Sequence, residues 1–174
     1  MNEIFSTTVA RPEQSPYVKP VSRGQLAQYV REIAASTNEE ANIHGLEAEG
    51  IAAAAHRQTL TESQIESRDY HRARATEMAY LARAAAILEL ELNPPRQADD
   101  SDEVNSLPVD AAELEGIAER LASEAVPVKM ADNYKAPQLQ SAADLAHSMA
   151  VRYDEVVTDI NRPKNVTPSI DITA

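Results

Sequence analysis

No cysteine occurs anywhere in the 174 residues. That excludes disulfides, thiolate nucleophiles and Cys-ligated metals together, and it fits a reducing compartment. Tryptophan is also absent and phenylalanine occurs once, so aromatics make up only 4% of the chain. A core must therefore come from Leu, Ile, Val, Met and a large supply of Ala, the best helix former. Four glycines leave almost nothing from which to build a phosphate-cradling loop. No run of about 18 apolar residues exists, so no segment reads as a membrane span. The opening MNEIFSTTVARPEQ lacks a basic start followed by an apolar stretch, so no secretory signal is expected. The expected location is the cytoplasm, or the interior of a virion or another assembly.

What the chain has in excess is negative charge, with 28 acidic against 16 basic residues and a net charge of −12. Such a field repels phosphates, which argues against nucleic acid. It favours protein partners, a basic protein among them. The carboxylates are spread along the whole chain, which first of all keeps it soluble.

The chain is organised around residues 61–92. Thr61-Glu62-Ser63-Gln64 is a helix-capping pattern, and no proline or glycine follows until Pro94. Residues 62–77 are mostly charged or polar. Residues 78–92 (MAYLARAAAILELEL) are apolar on nearly every side, as a helix enclosed by neighbours would be. The pattern predicts one long central helix whose C-terminal half is core and whose N-terminal half projects to solvent or a partner. The fold expected is an all-α bundle of about five helices with extended arms.

Five regions follow. Residues 1–23, punctuated by Pro12, Pro16 and Pro20, read as an extended N-terminal arm. Residues 24–93 are the helical core. Within them, Leu26, Tyr29, Val30 and Ile33 predict a helix over 23–35, which Ser36-Thr37-Asn38 interrupts. Thr37 to Glu40 then read as a second capping box, opening a helix over 38–58. Ile43, Leu46, Ile51 and Ala54 mark the apolar side of that helix. Gly45 and Gly50, with Ala41 and Ala48, form a face of little bulk suited to close approach by another helix. Residues 94–109 read as an acidic, disordered linker, with four carboxylates at Asp99, Asp100, Asp102 and Glu103. Residues 110–162 read as a C-terminal helical pair: Asp110 caps the first helix, and Pro137 opens a second running to Asn161. Residues 163–174 form an extended tail.

Catalytic signatures are missing. No Gly-x-Ser-x-Gly elbow occurs, and no Glu-x-x-His of the di-iron kind. Glu40 with His44, His44 with Glu47, and Asp144 with His147 stand at helical spacing, but in so acidic a chain they read as polar surface pairs. His56 and His71 have no carboxylate at ligand spacing. No catalytic residue, metal ligand or cofactor is therefore expected, and no enzyme activity.

The cluster Arg68-Asp69-Tyr70-His71-Arg72-Ala73-Arg74 stands out. Arg68 and Arg72 lie one turn apart, and two stacked guanidiniums can grip a carboxylate or phosphate. Arg74 points away from them, toward Tyr70 and Met78. The expected partner-binding residues are Arg68, Arg72, Arg74, Tyr70 and Gly45. The function expected is that of a non-enzymatic structural or interaction protein within a larger assembly, such as a phage or virus particle or another bacterial complex. It would contact protein partners, copies of itself included. Two alternatives stand beside it: a helical regulator or adaptor that binds a basic protein, and a ferritin-like metal-binding bundle.

Overall fold

Two helices of nearly equal length dominate the computed structural model, which describes residues 20–55, 58–94, 101–125 and 136–163. Helix α1 spans Arg23–Ala54 and helix α2 spans Glu62–Leu92. At 1.5 Å per residue each is about 45–50 Å long. Arg31 meets Glu89, Glu40 meets Arg74 and His44 meets His71, a pairing that only antiparallel axes allow. The two form one long hairpin.

Capping chemistry sets its ends. The Ser22 hydroxyl accepts from the Gln25 amide at 3.2 Å, and the Gln25 side chain accepts from the Ser22 amide at 2.9 Å. Thr61 and Gln64 repeat the arrangement at the start of α2, as their spacing predicts. At the other end the Asn93 amide donates back to the Glu89 carbonyl at 2.8 Å, just before Pro94 stops the helix.

The remaining elements gather at the base of the hairpin. Strand β1 (Val21–Ser22) pairs antiparallel with β2 (Pro108–Val109), Val21 opposite Val109. A short helix, α3 (Ser101–Ser106), precedes β2. Helices α4 (Ala111–Ala125) and α5 (Ala136–Val151) pack on each other, and α5 packs on α2. Helix α6 (Tyr153–Asn161) closes the described chain. All-α architecture with a single two-stranded ladder is thus established for the described residues.

One hydrophobic cluster joins these parts. It takes Leu26 and Val30 from α1, Ala84, Ala85, Leu88 and Leu92 from α2, Leu114, Ile117 and Leu121 from α4, and Val157 from α6. The small residues Ala142, Ala143 and Ala146 of α5 let that helix lie close. The buried Tyr153 hydroxyl donates to the Val109 carbonyl, pinning α6 to the ladder. Arg23 fastens the start of α1, its amide donating to the Leu107 carbonyl at 2.8 Å and its guanidinium to Glu113 at 2.7 Å.

Several expectations are corrected. The break at residues 36–38 does not exist: α1 is continuous. The Thr37 hydroxyl donates to the Ile33 and Ala34 carbonyls at 2.8 and 3.2 Å, bonding back into the helix instead of capping a new one. Residues 101–109 are ordered as α3 and β2, because Val109 is fully buried against the core. The last helix divides at Arg152, whose φ of −106° and ψ of 29° leave helical values. Residues 78–92 are not enclosed all round. Tyr80 and Leu90 are exposed, and Leu81 is half-buried outside the cluster. Of the expected regions, the arm as far as residue 19, His56, residues 95–100 of the linker, residues 126–135 and the tail from residue 164 lie outside the described residues.

Leu88→Ala should therefore lower stability by roughly 2–5 kcal/mol, while the half-buried Leu81 costs clearly less on truncation; urea midpoints of the two variants measure the difference. Burial raises the Tyr153 phenol above its ordinary value of 10.0. The folded chain holds it neutral while the unfolded chain ionises it near 10, so its contribution is intact below that pH and is lost as pH climbs past it. Tyr29, raised by burial as well, acts in the same sense. Tyr153→Phe should be less stable than the parent near neutrality, and the gap should narrow as pH rises above about 10 when urea midpoints are compared.

Candidate functional site

Beyond the base, the hairpin runs on as a two-helix arm, roughly residues 36–77. Its inner seam is made of small residues. Ala41 and Ala48 of α1 are buried, and Met78 and Ala82 continue the seam on α2 toward the base. Ala41 and Ala48 stand seven residues apart and Met78 and Ala82 four, the spacing of two helices packed along their length. His44 stands three residues after Ala41 and four before Ala48. His71 stands seven before Met78. Both histidines therefore lie in the seam itself.

The geometry there is tight. The Nδ1 atoms of His44 and His71 are 2.7 Å apart. A carboxylate oxygen of Glu47 lies 2.8 Å from His71 Nδ1 and 3.5 Å from His44 Nδ1. The two imidazoles are mostly covered, with side chains 17% and 20% exposed, whereas Glu47 is half exposed. Glu40 lies 3.8 Å from the other ring nitrogen of His44. Arg74 holds Glu40 at 3.1 Å and Glu77 at 2.9 Å. Donating to the Glu77 carboxylate, and then to Glu40, raises the Arg74 guanidinium above its ordinary range, so it stays charged. Tyr70 meets the two imidazoles edge to face, centroids 6.1 and 5.3 Å away.

The arginine and tyrosine candidates separate. Arg74 and Tyr70 belong to the histidine cluster. Arg68 pairs with its neighbour Asp69 at 2.8 Å, and Arg72 makes no ion pair among the described residues. Arg68 is thus engaged within the chain and does not present a free twin to Arg72. Gly45 has no heavy atom within 4 Å of where a Cβ would stand. The close approach is made by Ala41 and Ala48, so within the described chain Gly45 is not a packing contact. Gly24 is the tight glycine: its Cβ would meet the Asn105 carbonyl oxygen at 3.2 Å.

Sequence reasoning missed the His71–Glu47 contact because the partners sit on different helices. The pattern that carries it is the seam spacing of Ala41, His44 and Ala48, hidden by the larger neighbours Ile43 and Leu46. Those two face outward, 51% and 68% exposed. Ile65 and Tyr70 are exposed on the same arm.

On the arm's flank lies an open depression of about 450 Å³ whose lining includes Asn38, Asn42, Thr76, Tyr80 and Arg83. It contains no carboxylate and no histidine, so it offers no acid–base pair. Among the described residues no helix is long and apolar enough to cross a membrane. Comparison with known protein families, curated proteins and solved structures finds no match.

Gly45→Ala should stabilise the chain by about 0.5–1 kcal/mol, the propensity gain at an uncrowded helix position. Chemical denaturation checks it, and a destabilised variant would show a contact made by another molecule.

Proposed function

We propose that this chain is a non-enzymatic interaction protein whose helical base carries the hairpin arm as its docking element. One observation carries the reading. The arm buries alanines in its own seam and turns Ile43, Leu46, Ile65 and Tyr70 to solvent. Large apolar side chains contribute most when buried, and a group of them left outside on one projecting element marks an interaction surface.

Charge narrows the partner. Over residues 36–77 there are eight carboxylates (Glu39, Glu40, Glu47, Glu49, Glu62, Glu66, Asp69, Glu77) and four arginines (Arg57, Arg68, Arg72, Arg74). A basic protein surface with an apolar centre complements that arrangement, since opposite charge at the rim steers and orients association. The same surface could sit within a larger assembly, where a neighbouring subunit presents it. Arg72, free of ion pairs among the described residues, offers a cation to a carboxylate of the partner.

The double variant Ile43→Glu with Leu46→Glu tests the proposal. Both side chains are exposed, so helicity and melting temperature should stay close to those of the parent. Cross-linking in the native cell, read by mass spectrometry, should lose the partner cross-links that map to the arm. If the variant keeps every one of those cross-links, the arm is not the docking element.

A further inference from the structure

We propose that His44, Glu47 and His71 form a binding site for a divalent metal ion of the zinc class. Four observations carry it, none of which uses the exposed apolar residues Ile43, Leu46, Ile65 and Tyr70 that carry the docking proposal, so this inference and the preceding one stand or fail separately.

The first is convergence. One nitrogen from each imidazole and one oxygen of the carboxylate lie within 4.8 Å of one another. The edges of that triangle are 2.7, 2.8 and 3.5 Å. Ligands held about 2.0–2.2 Å from a zinc ion in tetrahedral or octahedral array stand roughly 2.9–3.5 Å apart. An ion at the centre thus requires shifts of only a few tenths of an ångström.

The second is proton supply. Neutral imidazole offers one N–H and one lone pair, and a carboxylate offers lone pairs alone. His71 Nδ1 would have to accept from His44 and donate to Glu47 at once to satisfy the two short edges, which one ring nitrogen cannot do. A cation at the centre satisfies all three atoms at once. Two imidazoles with one carboxylate suit Zn²⁺, Ni²⁺, Co²⁺ or Cu²⁺; the all-oxygen preference of Mg²⁺ and Ca²⁺ is not met.

The third is support. Both histidines are held in the helix seam, and Glu40 stands 3.8 Å from the far nitrogen of His44 while Arg74 fixes Glu40 in turn. The 3.8 Å separation is longer than a hydrogen bond, and Glu40 places negative charge behind the ring, where it favours a bound cation. The fourth is access: Glu47 is half exposed, which leaves an entry path and open coordination positions for water or another side chain. His147 with Glu115 makes a useful contrast. It offers two groups only, both well exposed, and serves as the internal control.

The ion would cross-link α1 and α2 midway along the arm, where the seam has little else to hold it.

The test uses the untagged full-length chain, stripped with chelator and dialysed. Titration with Co²⁺, followed by its visible absorption, and with Zn²⁺, followed by calorimetry, should each give one ion per chain. Zn²⁺ should raise the melting temperature, since it binds the folded hairpin and not the separated helices. His44→Ala and His71→Ala should each weaken binding by about a hundredfold or more, beyond what losing a supporting partner costs. His147→Ala should bind as the parent does. Should the alanine variants lose helicity, Glu47→Gln decides: it preserves shape, so weakened binding at parental helicity supports the site. A parent that binds no stoichiometric Zn²⁺ or Co²⁺, or a His44→Ala, His71→Ala double variant with parental affinity, overturns it.

Discussion

The distance between α1 and α2 is the constraint on which everything else depends. Alanines at the contact let two helix axes come close, and they do so at Ala41 and Ala48 in the arm and at Ala82 nearer the base. Closeness has an energetic consequence. A buried methyl contributes roughly 0.8 kcal/mol, whereas a buried leucine contributes about 2–3 kcal/mol. The base, with Leu26, Leu88, Leu92, Leu114 and Leu121, is therefore well anchored. The arm is held by helix continuity with that base, by thin apolar contact and by polar cross-links.

Those cross-links explain the arm's composition. Arg74 reaches across to Glu40, and Glu47 reaches back to His71. Exposed pairs of this sort contribute about 0–1 kcal/mol each, so they set register more than stability. Nearer the base the same device recurs, with Arg31 on Glu89 and Arg120 on Glu91. A chain with so little aromatic bulk keeps its helices aligned by distributing modest polar contacts along their edges. The two-residue ladder serves a different end. It ties the entry to α1 and the entry to α4 at one point, where Tyr153 also arrives.

Much of this was legible in the residues, and what was not has identifiable causes. Thr61 with Gln64, Asn93 before Pro94, and Asp110 before Glu113 all act as their types predict, because capping is a local matter of a few atoms. Thr37 misled because the same hydroxyl can cap a new turn or bond back into the old one, and only the packing of α1 along α2 decides. Ile43 and Leu46 misled for a deeper reason. Periodicity of large apolar residues normally marks the buried face, but here the buried face consists of alanine and histidine. The candidate site was half visible: His44 and Glu47 lie one turn apart in the sequence, while His71 joins them only through the hairpin. The division at Arg152 has no marker in the residue types around it.

The way the hairpin outruns its core gives the molecule a mechanical property. The last α1 residue packed against the main cluster is Ala34, and the helix continues to Ala54. That leaves a cantilever about 30 Å long clamped at one end. A tilt of about 10° at the clamp displaces its free end by about 5 Å at that length, roughly the spacing of one helical turn. Small repacking among Leu88, Leu121 and Val157 would thus be read out at the tip as a movement the size of a whole side chain.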